Sequence, residues 1–401
     1  MENFTYYSPT LYEFGRGAEE KVGMLMFLTG ATRVMIVYGR NYAVKNGLIS
    51  RISNSLDTIG IDHIDLGGVE PNPDDTLVRE GIRRGRAAHI DGLLAVGGGS
   101  AIDTAKAIAA GIGYQGDFWD FFTGKAQLRE ALPIGVVLTV PGSGSESSGS
   151  CVITRKGDDG PEKLSLRTDS ILKPRFAVVN PEMTVTLSAW QTAVGIIDMM
   201  SHIFERYFSV TTRVEVSDRL AEGLIMALIN EAPKALADPT DYQSRANIEW
   251  ASSLAHCGIV GCGRREDWVS HYMEHEISAL YPDVAHGAGL AVVIPAWMSF
   301  MAHHKPSKVA QLGRRVFGVD ERDDRTAAIE AVASLRAFFS AVLRMPLDFA
   351  GLGIDKPDID TLVRHLHANH GESIGGYYRL SAADTRQIYE LMLPQAKAPV
   401  E

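Results

Sequence analysis

The chain has few cysteines, no excess of basic charge and no apolar run long enough to span a membrane. It has 401 residues and three cysteines, Cys151, Cys257 and Cys262. So small and odd a number is a poor disulfide framework and suits a reducing compartment. Cys257 and Cys262 lack a second cysteine pair that would complete a zinc knuckle, which leaves them as small buried hydrophobes. Lysine and arginine number 39 against 49 acids, a net charge of −10. A nucleic-acid binder needs a basic footprint, and none is present. The longest uncharged apolar run, Gly287 to Ala302, is short for a bilayer and contains Pro295. A buried helix is expected there. The opening stretch MENFTYYSPTLYEF lacks the basic and apolar regions of a signal peptide. The expectation is a cytoplasmic protein with no membrane and no nucleic-acid partner. Internal repeats and low-complexity tracts are also missing.

What is present suggests two domains. The first half alternates short apolar runs with helical spacing. RVMIVYG, HIDLGGV, GLLAVGG and PIGVVLTVP read as strands, and SAIDTAKAIAAGI reads as a helix. Such alternation implies a parallel sheet with helical crossovers. CVITRK and KLSLRT flank GDDG, a hairpin signal. After about Leu187 long helical patterns follow without further strand alternation. The expected architecture is an α/β Rossmann-like domain with a parallel sheet over 1–187, then an all-α domain over 188–401.

Two glycine-rich turns carry chemistry. AVGGGSAIDTAKAIA places Gly97, Gly98 and Gly99 between a buried strand and a helix. Glycine lets a phosphate approach the backbone, and a helix N-terminus adds amide donors. The spacing is not G-x-G-x-x-G. Ser100 and Asp103 also form an S-x-x-D capping pattern. A second turn, TVPGSGSESSGS, follows the next strand. Two such turns at successive strand ends point to a ligand crevice. The first strand ends in Gly39, Arg40 and Asn41. An acid at this place holds ribose hydroxyls in many dinucleotide folds. Here it is missing, and Arg40 would attract a 2′-phosphate, which favours NADP(H) over NAD(H).

In GIIDMMSHIFERYF, Asp198 and His202 lie four apart and share a helical face in apolar company. His271 and His275 repeat that spacing in DWVSHYMEHEISALYPDVAHGAG, and His286 follows a break. One carboxylate and up to four imidazoles suit Fe(II), Zn(II), Mn(II), Co(II) or Ni(II). They form one site only if the two segments meet.

Taken in order, PTLYEFGRG, VEPNP, GGGSAIDTAKAIA, GSGSE, Asp198-x-x-x-His202 and HYMEH…HGAG resemble the iron-containing (group III) alcohol dehydrogenases over nearly the whole chain. The branch of NADPH-dependent butanol dehydrogenases and broad-specificity aldehyde reductases is the most similar. The resemblance implies metal ligation by Asp198, His202, His271 and His286, with His275 facing the nicotinamide. It implies pyrophosphate contacts at Gly97, Gly98 and Ser100. Thr139, Ser143, Lys163 and Thr186 would flank the ribose and nicotinamide sides. It further implies a divalent metal, Fe2+ or Zn2+ foremost, short aliphatic alcohol and aldehyde substrates, and a homodimer. Two departures stand out. The step from His271 to His286 is one residue longer than in relatives, and Pro141 precedes the GSGSE turn. A glycerol dehydrogenase-like enzyme is the nearest enzymatic alternative. A dehydroquinate synthase-like lyase is another, but segments 187–205 and 268–290 contain no lysine or arginine for a phosphorylated substrate. A catalytically silent coenzyme-binding protein is the third.

Overall fold

A computed structural model describes residues 1–39, 42–157, 160–168 and 170–394. Its strands are β1 (Leu11–Phe14), β2 (Arg33–Gly39), β3 (Asp62–Val69), β4 (Gly92–Gly98), β5 (Ile134–Val140), β6 (Ser150–Gly157), β7 (Gly160–Arg167) and β8 (Phe176–Val179). Six form an all-parallel sheet in the order β1-β8-β5-β4-β2-β3. β6 and β7 pair antiparallel, the hairpin that the sequence predicts.

The four inner strands, β2, β4, β5 and β8, are apolar on both faces, as a parallel sheet between helices requires. Met35, Val37, Leu93, Ala95 and Val136 point into one core with Ile102 and Ile108 of the Gly99–Gly111 helix. Val34, Ile36, Leu94, Val96 and Val137 point into the other, with Ile52 and Leu56 of the Leu48–Ile59 helix. Strands with no solvent face need helices on both sides, and crossover connections supply them. Asp74 caps the Asp75–Ala87 helix, accepting from the amides of Thr76 and Leu77 at 3.0 and 3.2 Å.

The second unit is helical, with one isolated bridge between Ile374 and Leu380 among its described residues. The Ala189–Tyr207, Val269–Leu280 and His286–His304 helices are its parts that matter for function. The apolar run around Pro295 lies inside the buried His286–His304 helix. Among the described residues no helix is long and apolar enough to cross a membrane.

The units are not the contiguous 1–187 and 188–401. One comprises Tyr6–Leu187 with Asp238–Gly258, the other Met1–Thr5 with Ser188–Ala237 and Ile259–Glu401. Side-chain bonds explain the exchange. On the Tyr242–His256 helix, Ser253 Oγ donates to Glu146 Oε1 at 2.7 Å, and Ser252 Oγ accepts from the Gly142 amide at 3.0 Å. Thr184 Oγ1 donates to Glu249 Oε1 at 2.8 Å, and Trp250 meets Tyr12 edge-on at 5.2 Å between ring centroids. At the other exchange, the Glu2 amide donates to the Gly263 carbonyl at 2.8 Å.

Candidate metal centre and coenzyme turns

The Ala189–Tyr207 helix starts at a capping box: Ser188 Oγ accepts from the Gln191 amide, and Gln191 Oε1 accepts from the Ser188 amide. With its start fixed, positions 198, 202 and 205 fall on one face at i, i+4 and i+7. Asp198, His202 and Glu205 are all buried. His271 and His275 come from the Val269–Leu280 helix, and His286 opens the helix after the next break.

Three imidazoles converge on one oxygen. Asp198 Oδ1 lies 3.5 Å from His202 Nδ1, 3.6 Å from His271 Nε2 and 3.7 Å from His286 Nε2. These separations are too long for hydrogen bonds. Asp198 Oδ1 and His271 Nε2 are buried and make none. Buried polar atoms left in that state are costly, so the arrangement needs a partner that it does not itself contain. Two donors bound at about 2.1 Å to a tetrahedral ion stand about 3.4 Å apart. Asp198, His202 and His271 offer ligand atoms that all lie within 4.8 Å of one another, the spacing and nitrogen–oxygen chemistry of a divalent-metal site, while His286 clusters with Glu274 and His275 beside them. The electrostatics agree. Burial opposes a charge on His271, but the Glu205 and Asp198 carboxylates outweigh it and push the imidazole up to about 10. Burial, then the charge on His271, hold His202 well below the usual histidine range. The carboxylates thus favour positive charge at the centre.

The HGAG spacing is a packing requirement. A Cβ at Gly287 would come within 2.2 Å of the Val194 carbonyl oxygen, and one at Gly289 within 2.8 Å of Glu274 Cγ. The first turn of the His286 helix can approach its neighbours only with glycine at these places. His275 lies beside the set, its ring centroid 6.1 Å from that of His271 and 5.6 Å from that of His286.

In the α/β unit, Gly39, Gly97, Gly98 and Thr139 occupy the C-terminal ends of β2, β4 and β5, three neighbouring strands. The chain reverses its direction of travel across the sheet between β2 and β4, the switch point where open α/β sheets bind ligands. Gly98 is the N-cap of the Gly99–Gly111 helix, so no side chain caps its first amides. A Cβ on Gly99 would meet Ser143 Oγ at 2.5 Å, so the two glycine turns touch. The expected Ser100–Asp103 cap is not formed, because the helix starts earlier than that pattern requires. Ser100 is helical and its carbonyl accepts from Thr104 Oγ1 at 2.8 Å. Asp103 instead accepts from Ser145 Oγ at 2.6 Å and the Val152 amide at 2.9 Å, tying the second turn to the first helix. Lys163 Nζ donates to Asn72 Oδ1 at 3.0 Å, and Thr186 is exposed after the Pro181–Thr184 turn. Arg40 and Asn41 lie outside the described residues.

Residues 9–181 match the family described as "Iron-containing alcohol dehydrogenase", and residues 192–393 its C-terminal domain. The chain belongs to the iron-containing alcohol dehydrogenases. It is 37% identical to NADH-dependent butanol dehydrogenase A of Clostridium acetobutylicum, over 97% of this chain and 99% of that protein. It is 34% identical to the NADPH-dependent aldehyde reductase YqhD of Escherichia coli, again over 97% and 99%. The crystal structure of an NADH-dependent butanol dehydrogenase A from Thermotoga maritima superposes with a TM-score of 0.93 at 34% identity, covering 98% of this chain and 99% of that one. The protein is therefore an NAD(P)-dependent oxidoreductase of alcohols and aldehydes, and the lyase and silent-binder alternatives fall away.

Sequence reasoning passed over three residues of this iron-containing alcohol dehydrogenase. Glu205 and Glu274 reach the far side of two imidazoles: Glu205 Oε2 lies 2.6 Å from His271 Nδ1, and Glu274 Oε2 contacts His286 Nδ1. The signal was available, since each glutamate falls three positions after a histidine of the set, His202 or His271. The third is Lys106. Its buried ammonium donates to the Ser145 carbonyl and hydroxyl at 2.7 Å, the Ser150 carbonyl at 2.7 Å and the Ser148 carbonyl at 2.9 Å. It holds the second glycine turn in shape from beneath. Within an alanine-rich helix nothing in the sequence marks it.

Proposed function

We propose that Asp198, His202, His271 and His286 hold a divalent ion, Fe2+ or Zn2+ foremost, with Mn2+, Co2+ and Ni2+ suited to the same donors. The enzyme would then transfer hydride between NADP(H) and short-chain aliphatic alcohols or aldehydes. The observation that carries this reading is the convergence of three imidazole nitrogens on Asp198 Oδ1 at 3.5 to 3.7 Å. Such an ion supplies Lewis acidity to a substrate oxygen, and the nicotinamide supplies the hydride. The protein's own share is alignment, water exclusion and proton handling. Burial of Asp198, His202 and His271 limits the access of water to their ligand atoms. His275, whose ring lies near those of His271 and His286, is the proposed relay for the substrate hydroxyl proton. Gly97, Gly98 and Ser100 at the first turn are the proposed pyrophosphate contacts. Thr139, Ser143, Lys163 and Thr186 are the proposed ribose and nicotinamide neighbours.

Preference for NADP(H) rests on Gly39, which puts no carboxylate at the end of β2 to repel a 2′-phosphate. The aliphatic substrate class is supported by the butanol dehydrogenases and aldehyde reductase among the relatives. Cytoplasmic location and a homodimer complete the reading. The deciding experiment is metal analysis of protein purified without oxygen, followed by alcohol and aldehyde panels with both coenzymes. Butanal reduction by NADPH that disappears with chelator and returns with Fe2+ or Zn2+ is the expected result. Full activity in metal-free protein would refute the metal centre.

A further inference from the structure

We infer that Glu205 and Glu274 are positioning residues for the metal centre, each fixing one histidine by its outer ring nitrogen. The inference rests on the reading of His271 and His286 as ligands. Each of these rings bridges two carboxylates. His271 turns Nε2 towards Asp198 Oδ1 at 3.6 Å and Nδ1 towards Glu205 Oε2 at 2.6 Å. His286 turns Nε2 towards the same Asp198 oxygen at 3.7 Å and Nδ1 against Glu274 Oε2. A carboxylate held against Nδ1, hydrogen-bonded in His286 and 2.6 Å away in His271, favours the proton on that nitrogen and leaves the lone pair on Nε2, the nitrogen facing Asp198. The glutamates therefore set tautomer and ring direction and raise the basicity of the inward nitrogen.

The supports are built differently. Glu205 also accepts from the His271 backbone amide at 2.9 Å through Oε1, so one carboxylate grips both main chain and ring of the same residue. It shares a helical face with Asp198 and His202, so a single helix supplies two donors and the brace for a third. Glu274 comes from the His271 helix and reaches across to His286, where Gly289 leaves room for it. The His286 side chain is 26% exposed against 7% for His271. His286, half-open at the start of its helix, depends on its brace for direction, whereas His271 is also confined by packing.

The test uses the full chain, stripped of metal, with Zn2+ affinity measured by chelator competition and unfolding of the metal-free protein followed in parallel. Glu205→Gln and Glu274→Gln keep side-chain shape and remove charge. Each is expected to weaken Zn2+ binding by about 10- to 100-fold, with the larger loss in Glu274→Gln, and to leave the metal-free unfolding midpoint at or above that of the parent. Zn2+ affinities within twofold of the parent would overturn the inference. So would a loss of affinity matched by an equal loss of metal-free stability. Should a glutamine variant not fold, Glu205→Asp and Glu274→Asp, which withdraw the carboxylate by one methylene, are measured instead against the same criteria. Asp198→Ala separates the two levels of argument. If it binds Zn2+ like the parent, the four-residue metal reading itself fails. If it loses Zn2+ while both glutamine variants keep it, only the positioning role fails.

Discussion

Asp198 Oδ1 and His202 Nδ1 face each other across 3.5 Å on a single helical turn, a gap too wide for a shared proton. The helix gives their spacing, and burial of both side chains limits water as an alternative partner. Replacing Asp198 by Ala should abolish metal retention and lower turnover by ~100-fold or more, while coenzyme binding stays near that of the parent. Metal content by atomic spectroscopy and NADPH titration by fluorescence check both halves. Parent-like metal content in the variant would refute the assignment.

His275→Ala isolates the proton relay. The variant should keep its metal, lose on the order of 10²-fold or more in kcat, and show an altered pH–rate profile. A profile and rate like those of the parent would rule the relay out.

The proposed preference for NADP(H) puts its determinant at the end of β2. The parent should give a higher kcat/KM with NADPH than with NADH. Gly39→Asp places a carboxylate where a 2′-phosphate would sit and should lower the NADPH-to-NADH ratio by roughly tenfold or more. Equal ratios in parent and variant would show that Gly39 is not the determinant.

Glu249 predicts how stability follows pH. Burial pushes its carboxyl up to about 8, with Thr184 and Arg245 opposing and Glu146 reinforcing. In the unfolded chain the group ionises near ~4.3. Between those values the folded protein holds a proton that the unfolded chain has released. This contribution to stability is therefore fully present at low pH and fades as pH rises through about 8. Glu249→Gln should flatten that fall, with a gain on the order of a few kcal/mol at the alkaline end. Urea unfolding from pH 5 to pH 8.5 measures it, and parallel curves for both proteins would rule it out.

The parallel sheet could be read from the sequence because GLLAV and IGVVL have no polar alternation, and a strand without a wet face belongs between helices. Asp198, His202, His271 and His286 could be nominated because acids and imidazoles recur at helical spacing among apolar neighbours. Whether the two segments meet was not legible, since packing across about seventy residues leaves no local trace. Glu205 and Glu274 look like ordinary helix glutamates until their depth is known. Asp103 looked like a capping acid because a linear pattern cannot say where the helix begins. The Tyr242–His256 helix carried no mark of allegiance to the α/β unit, because its bonds to Gly142, Glu146, Thr184 and Tyr12 all lie at large sequence distance.

That borrowed helix governs how the protein can be made. A ribosome that has finished the last strand, β8, has not yet supplied the segment on which Glu146, Thr184 and Tyr12 close. The partners of these residues lie on a helix that begins only at Tyr242, after the whole Ala189–Tyr207 helix of the other unit. A chain cut after Leu187 would therefore lack both the Ser253 hydroxyl that donates to Glu146 and the Glu249 carboxylate that accepts from Thr184.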